Sequence, residues 1–75
     1  MSETNAEPLL LSMAEAAAML RLGERTVWSL ANRGALPSLK VGARTLFDPS
    51  ALRAWVRAGA PTDPGAADRI EGVEL

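Results

Sequence analysis

Four polar side chains recur along one side of a short segment, and their types suit hydrogen bonding to nucleic-acid bases or to phosphates. The sequence RTVWSLANRG places them at helical spacing, as Arg25, Ser29, Asn32 and Arg33. A bidentate contact from arginine to guanine discriminates by roughly 1–3 kcal/mol. The spacing favours Arg25 and Arg33 as base readers, and Ser29 and Asn32 as contacts to bases or phosphates. The alternative is that all four are ordinary solvated side chains.

Four more side chains belong to the same candidate DNA-binding surface. Thr26 is expected to contact a phosphate or to bond the local backbone. Trp28 is expected mainly to pack against the hairpin that follows, with backbone contact through its indole N–H as a second role. Lys40 and Arg44 lie in that hairpin. Cations displayed on a thin hairpin are expected to contact phosphates.

The charge distribution supports an anionic partner for the centre of the chain. The 75 residues carry a net charge of −1. Residues 12–58 contain seven cations and three acids, a net charge of +4, whereas residues 1–11 sum to −2 and residues 59–75 to −3. A basic centre between acidic ends favours nucleic acid as the partner.

The residue types that are missing argue against an enzyme and against a cofactor. The chain contains no histidine and no cysteine, which removes the commonest general base and the usual zinc ligands. It also has no phosphate-cradling glycine loop and no convincing carboxylate pair. No apolar run approaches the roughly 20 residues of a membrane span, and no basic region precedes the first leucines. We therefore expect a cytoplasmic protein that binds neither a membrane nor a small-molecule ligand.

Two helices are predicted to position the candidate surface. Ser12 and Glu15 have the spacing of a capping box, which starts the first helix and lets it run to about Leu20. Its apolar face comprises Met13, Ala16, Ala17 and Leu20. Gly23 caps a second helix over residues 24–33, and Gly34 ends that helix. The apolar face of the second helix comprises Val27, Leu30 and Ala31, so the four polar side chains face outward.

A hairpin and a third helix are predicted next. The segments SLKV and RTLF alternate around Gly42-Ala43, which fits a type II′ turn. Leu39, Val41 and either Leu46 or Phe47 are expected to face inward. Asp48 caps the third helix, Pro49 occupies its first position, and Gly59 ends it. The apolar face of this helix is expected to comprise Leu52, Trp55 and Val56.

The two ends of the chain are predicted to be tails. Residues 1–9 are interpreted as disordered, and residues 10–58 as the folded domain. Residues 59–75 are rich in Gly, Pro and acidic residues and lack periodicity, which is typical of a flexible tail. Deleting residues 60–75 is expected to leave the fold intact and to raise non-specific affinity for DNA.

Four segments in order resemble a known family. They are EAAAML, RTVWSLANRGALP, KVG and FDPSALRAWV, and together they cover about residues 10–58. The pattern resembles the excisionase-type branch of the MerR-like winged helix-turn-helix domains. The resemblance implies a mainly α fold of three helices plus a β-hairpin wing. It departs at Arg21 and Gly23, where the family often has glycine and a serine or threonine cap, so Arg21 is expected to take a strained backbone or the turn to shift.

The resemblance also implies a biological role. Double-stranded DNA is the implied ligand, with the second helix in the major groove and the wing against the backbone or minor groove. Excisionases assemble as several copies on attachment-site DNA, bend it and steer an integrase towards excision, which places this protein at the bacterial nucleoid. The chain has no room for a coiled coil and an effector domain, which favours this role over a ligand-sensing regulator. A small phage-type transcription regulator and a protein-interaction module that does not bind DNA remain as alternatives.

Overall fold

The computed structural model describes residues 9–70. The predicted N-terminal tail therefore lies outside the described residues, except for Leu9. The described elements follow the predicted order of two helices, a hairpin and a third helix, and then add a 3₁₀ turn. They are α1 (Met13–Leu20), α2 (Glu24–Asn32), β1 (Leu39–Val41), β2 (Arg44–Leu46), α3 (Pro49–Arg57) and the 3₁₀ turn Ala66–Arg69.

The capping box that starts α1 is formed. The Glu15 amide donates to the Ser12 hydroxyl at 3.1 Å, and the Ser12 amide donates to the Glu15 carboxylate at 2.8 Å. Two amides that a helix start would leave unpaired thus have partners. Ala16 and Ala17 are buried, and their small side chains let α1 approach α2 closely.

The turn between α1 and α2 is strained at Arg21, as the departure from the family pattern predicts. Arg21 adopts a left-handed backbone with φ 60° and ψ 41°, where its amide bonds the Ala17 and Ala18 carbonyls. A non-glycine L-residue in this conformation costs roughly 1–2 kcal/mol. The turn does not shift, because α1 ends at Leu20 and Gly23 caps α2.

Arg21→Gly should therefore stabilise the domain. Glycine removes the strain but adds conformational freedom to the unfolded chain, and the net gain is expected to be about 0.5–1 kcal/mol. Chemical denaturation followed by circular dichroism measures this free energy of unfolding. Arg21→Ala is the matched control, since it removes the same guanidinium without easing the backbone. An equal gain in both variants would contradict the strain argument.

The β1–β2 hairpin has the predicted two-residue loop. Val41 pairs with Arg44 and Lys40 with Thr45, which leaves Gly42-Ala43 as the turn, and Gly42 has the positive φ (64°) that a type II′ turn requires. The prediction that Val41 faces inward is wrong, because half of its surface is exposed. Of the two predicted alternatives, Leu46 and Phe47, it is Phe47 that is buried, at the foot of the hairpin.

The foot of the hairpin is tied to the chain that leads into α1. Leu11 and Phe47 exchange backbone hydrogen bonds of 2.7 and 2.9 Å. Both side chains are buried in the core. The hairpin is therefore held at its base by the same segment that carries the α1 cap.

Helix α3 closes the core, with a face that differs in part from the prediction. Asp48 accepts a hydrogen bond from the Ser50 amide at 2.9 Å, and Pro49 is the first helical residue. Leu52 and Trp55 are buried as predicted, whereas Val56 is 52% exposed. Small residues replace Val56 in the buried face of α3, which comprises Ala51, Leu52, Ala54 and Trp55.

Residues 59–70 do not behave as the predicted flexible tail. The Trp55 indole N–H donates to the Pro61 carbonyl at 3.0 Å. The Gly65 amide donates to the Arg33 carbonyl at 3.1 Å, and Ala66 is fully covered. This part of the chain therefore packs on the end of α2 and on α3. Backbone hydrogen bonds hold it there, so it needs no periodic apolar face. Residues 71–75 lie outside the described residues.

An ion pair links two residues within this C-terminal segment. The Arg69 guanidinium bonds the Asp63 carboxylate, and this hydrogen bond lowers the pKa of Asp63 below its ordinary value of 3.8. A carboxyl with a lowered pKa stabilises the fold above its unfolded pKa, and that contribution is lost as the pH falls through the lowered value. Both side chains are exposed, so the contribution is small.

Candidate nucleic-acid interface

Helix α2 presents one face to the core and the other to solvent. Val27 and Leu30 are buried against the core. Arg25 and Asn32 lie on the exposed side, two turns apart. The face thus offers a guanidinium near the helix start and a carboxamide near its end. Both groups suit base edges in a major groove.

Trp28 stands between these two side chains and is 56% exposed. The prediction that it packs against the wing is therefore only partly met: its ring borders the hairpin but is not covered by it. On one side it forms a hollow of about 400 Å³ with Arg25. On the other side it forms a hollow of about 210 Å³ with residues of α1, α2 and the hairpin, which are Met13, Ala31, Asn32, Ser38, Lys40 and Thr45. The indole is therefore a ridge between two concave surfaces.

The hairpin turns one face towards α2. Lys40 and its cross-strand partner Thr45 line the hollow beside Trp28. Because side chains alternate across a strand, Arg44 projects from the opposite face, together with Val41. The two predicted phosphate contacts thus lie on different faces of the wing. Lys40 adjoins the recognition helix, and Arg44 lies near the tip and on the outer side.

Arg33 points to the C-terminal segment as well as to solvent. Its guanidinium donates to the Ser29 hydroxyl at 3.0 Å and to the Thr62 carbonyl at 3.3 Å. These bonds give the Arg33 and Ser29 side chains a structural role, which the spacing in the sequence did not reveal. Arg25, in the first turn of α2, stays the predicted base reader. Thr26 is exposed beside Arg25 in the first turn.

The interface therefore groups some predicted residues and separates others. Around the Trp28 ridge it brings together Arg25, Asn32 and Lys40. Sequence reasoning missed Thr45 and Ser38, which line the hollow between helix and hairpin. Thr45 was within reach of prediction, since a two-residue loop at Gly42-Ala43 places it opposite Lys40. Ser38 carried no comparable signal.

Two other features are absent from residues 9–70. No group of three or more acidic residues in this range is placed to hold a metal ion. No helix in the same range has the length and hydropathy to cross a membrane.

Comparison with protein families gives a match over most of the chain. A family model described as a helix-turn-helix domain matches residues 10–60. The chain belongs to the helix-turn-helix domain family. This membership supports DNA binding by the protein. Comparisons with curated proteins and with solved structures gave no significant match.

The packed part of the chain extends beyond the end of the helix-turn-helix match. The match includes all three α-helices and the hairpin, and it stops at residue 60. The segment that binds the Arg33 carbonyl and side chain comes after that point. In this helix-turn-helix protein the end of α2 is thus supported by residues outside the matched domain.

Proposed function

We propose that this protein binds specific DNA sequences by inserting α2 into the major groove and laying the hairpin along the adjacent backbone. The observation that carries the proposal is the grouping of Arg25, Trp28 and Asn32 on the exposed face of α2, with Lys40 beside them. In helix-turn-helix docking the second helix reads base edges in the major groove. Lys40 and Arg44, on the two faces of the wing, supply phosphate contacts that fix the register.

The finer role proposed is that of an excisionase, an accessory factor in site-specific recombination. The four family-like segments support this role, and so does the small cationic surface. Few phosphate contacts give weak binding at a single site. Useful affinity then requires several copies on adjacent sites, and an integrase on the same attachment DNA is the proposed protein partner. The protein acts without catalysis or a cofactor of its own.

The two tryptophans provide a direct test of DNA binding. Trp28 is exposed and Trp55 is 3% exposed, so acrylamide should quench mainly Trp28 in the free protein. A duplex carrying the cognate site should protect that fluorescence. For about four phosphate contacts, log Kobs should fall against log salt concentration with a slope of about −3.5. Trp28→Phe is the control and should abolish the protected signal.

The outcomes separate the remaining functions. Quenching that is unchanged by any duplex in dilute buffer would overturn DNA binding and favour a protein-interaction module. If a duplex does protect Trp28, a DNase footprint across an attachment region and a neighbouring promoter distinguishes the excisionase from the transcription regulator. Repeated protected sites within the attachment region support the excisionase, whereas protection confined to the promoter would replace that role with transcription regulation.

A further inference from the structure

A second surface of the molecule is apolar and lies between α1 and α3. It is a hollow of about 290 Å³ whose lining residues are Met19, Leu20, Leu52, Arg53, Val56 and Arg57. Met19 is 41% exposed and Val56 is 52% exposed. None of the lining residues belongs to α2 or to the hairpin. We call this surface the α1–α3 groove.

The composition of the groove indicates what it binds. Its floor is aliphatic, and Met19 adds a flexible thioether that adapts to irregular partners. Two arginines line it, and none of the lining residues within 9–70 is acidic. The single acid of α1, Glu15, is engaged in the capping box. The groove therefore combines an apolar floor with a positive edge.

We infer that the α1–α3 groove docks an acidic amphipathic helix of a partner protein. Helices that bind in grooves place apolar anchors at i, i+3 and i+4 on such a floor. Carboxylates on the flank of that helix would pair with Arg57, which lines the groove and is exposed. The groove is more open than a typical small-molecule site, which buries most of its ligand. Nucleic acid fits less well, because its phosphates would bond only the arginines and leave the aliphatic floor uncovered.

This docking is separate from the proposed DNA binding. The groove shares no lining residue with the Trp28 ridge or with the two hollows beside it. A partner on the groove therefore leaves Arg25 and Lys40 accessible. The protein would then join a DNA site to a second protein.

A designed peptide tests the inference on the full chain. The probe is a fluorescein-labelled helical peptide of about 15 residues, with leucines at i and i+4 and glutamates on the flank. Fluorescence anisotropy should show binding, and replacing its glutamates by lysines should weaken that binding by about tenfold or more. Val56→Glu should also weaken it by about tenfold or more. Ala58→Glu, at an exposed position beyond α3, is the matched control and should leave binding unchanged.

A charge reversal keeps the test independent of folding. Arg57→Glu should bind the lysine peptide more tightly than the glutamate peptide, which a damaged fold would not do. Equal affinity of wild type for the two peptides would overturn the inference. So would a wild-type dimer that Val56→Glu dissociates in sedimentation, because a second copy would then fill the groove. Binding of the Val56→Glu variant to duplex DNA should be unchanged, so failure here and failure of the DNA proposal are distinguishable.

Discussion

Arg25→Ala should weaken binding to the cognate duplex by about 1–3 kcal/mol, or roughly 5- to 150-fold in Kd. Arg25 is exposed at the start of α2 beside the Trp28 ridge, where the bases of a major groove would lie. On random DNA only one charge is lost, so the loss there should be about two- to threefold. Fluorescence anisotropy with labelled cognate and random duplexes at one salt concentration measures both values.

Arg33→Ala is the matched control, because Arg33 follows the last residue of α2 as its C-cap. Its guanidinium is bonded to Ser29 and to the Thr62 carbonyl, so its removal should cost stability of about 0.5–1 kcal/mol. The ratio of specific to non-specific affinity should stay the same. Equal losses on cognate and random DNA in Arg25→Ala would assign that residue to a phosphate instead of a base. A loss of specificity in Arg33→Ala would make Arg33 the reader.

Deleting residues 61–75 should lower the free energy of unfolding by about 2–4 kcal/mol, which is a large share for so small a domain. The deletion removes the carbonyl that accepts the Trp55 indole N–H and the amides that bond the Arg33 and Gly34 carbonyls. It also uncovers the core beneath Ala66. Urea denaturation of the full and shortened chains measures the loss. This expectation replaces the sequence-based one that the shortened chain keeps its fold intact.

A point variant tests the same contact in the full chain. Ala66→Arg places a charge at a fully covered position and should destabilise the protein as the deletion does. Asp68→Arg places the same side chain at an exposed neighbouring position and should change stability little. Equal unfolding free energies for the deletion, Ala66→Arg and wild type would show that the segment contributes nothing to the fold.

The sequence predicted those elements whose signals are local. The Ser12–Glu15 capping box, the Asp48-Pro49 start and the Gly42-Ala43 turn each depend on residues close in the chain. The difficulty at Arg21 was found because the resembling family often has glycine there, and the left-handed backbone of Arg21 is one that glycine adopts without strain. These features could be predicted because each involves a cap or a turn with a defined residue preference.

The misplaced residues depend on packing between distant parts of the chain. Val56 borders the apolar face of α3, and periodicity alone cannot show that Ala51 and Ala54 fill the space against the core instead. Residues 59–70 are held mainly by hydrogen bonds from backbone amides, which any residue type provides. Their packing therefore leaves no periodic pattern of apolar residues in the sequence. The Arg33 guanidinium donates to the Thr62 carbonyl of this same segment, so that bond was not predicted either. Sequence spacing shows which way a side chain points on its helix, but not what another segment brings to meet it.

The bonds at the carboxyl end of α2 also change the electrostatics of the recognition helix. The last carbonyls of a helix carry the negative end of its macrodipole, about half an elementary charge, which repels phosphates. Here the Gly65 and Ala67 amides donate to the Arg33 and Gly34 carbonyls just beyond α2. Their positive N–H dipoles offset part of that negative pole. The segment beyond the matched domain thus offsets part of the negative pole at the Asn32 end of α2 through its backbone alone.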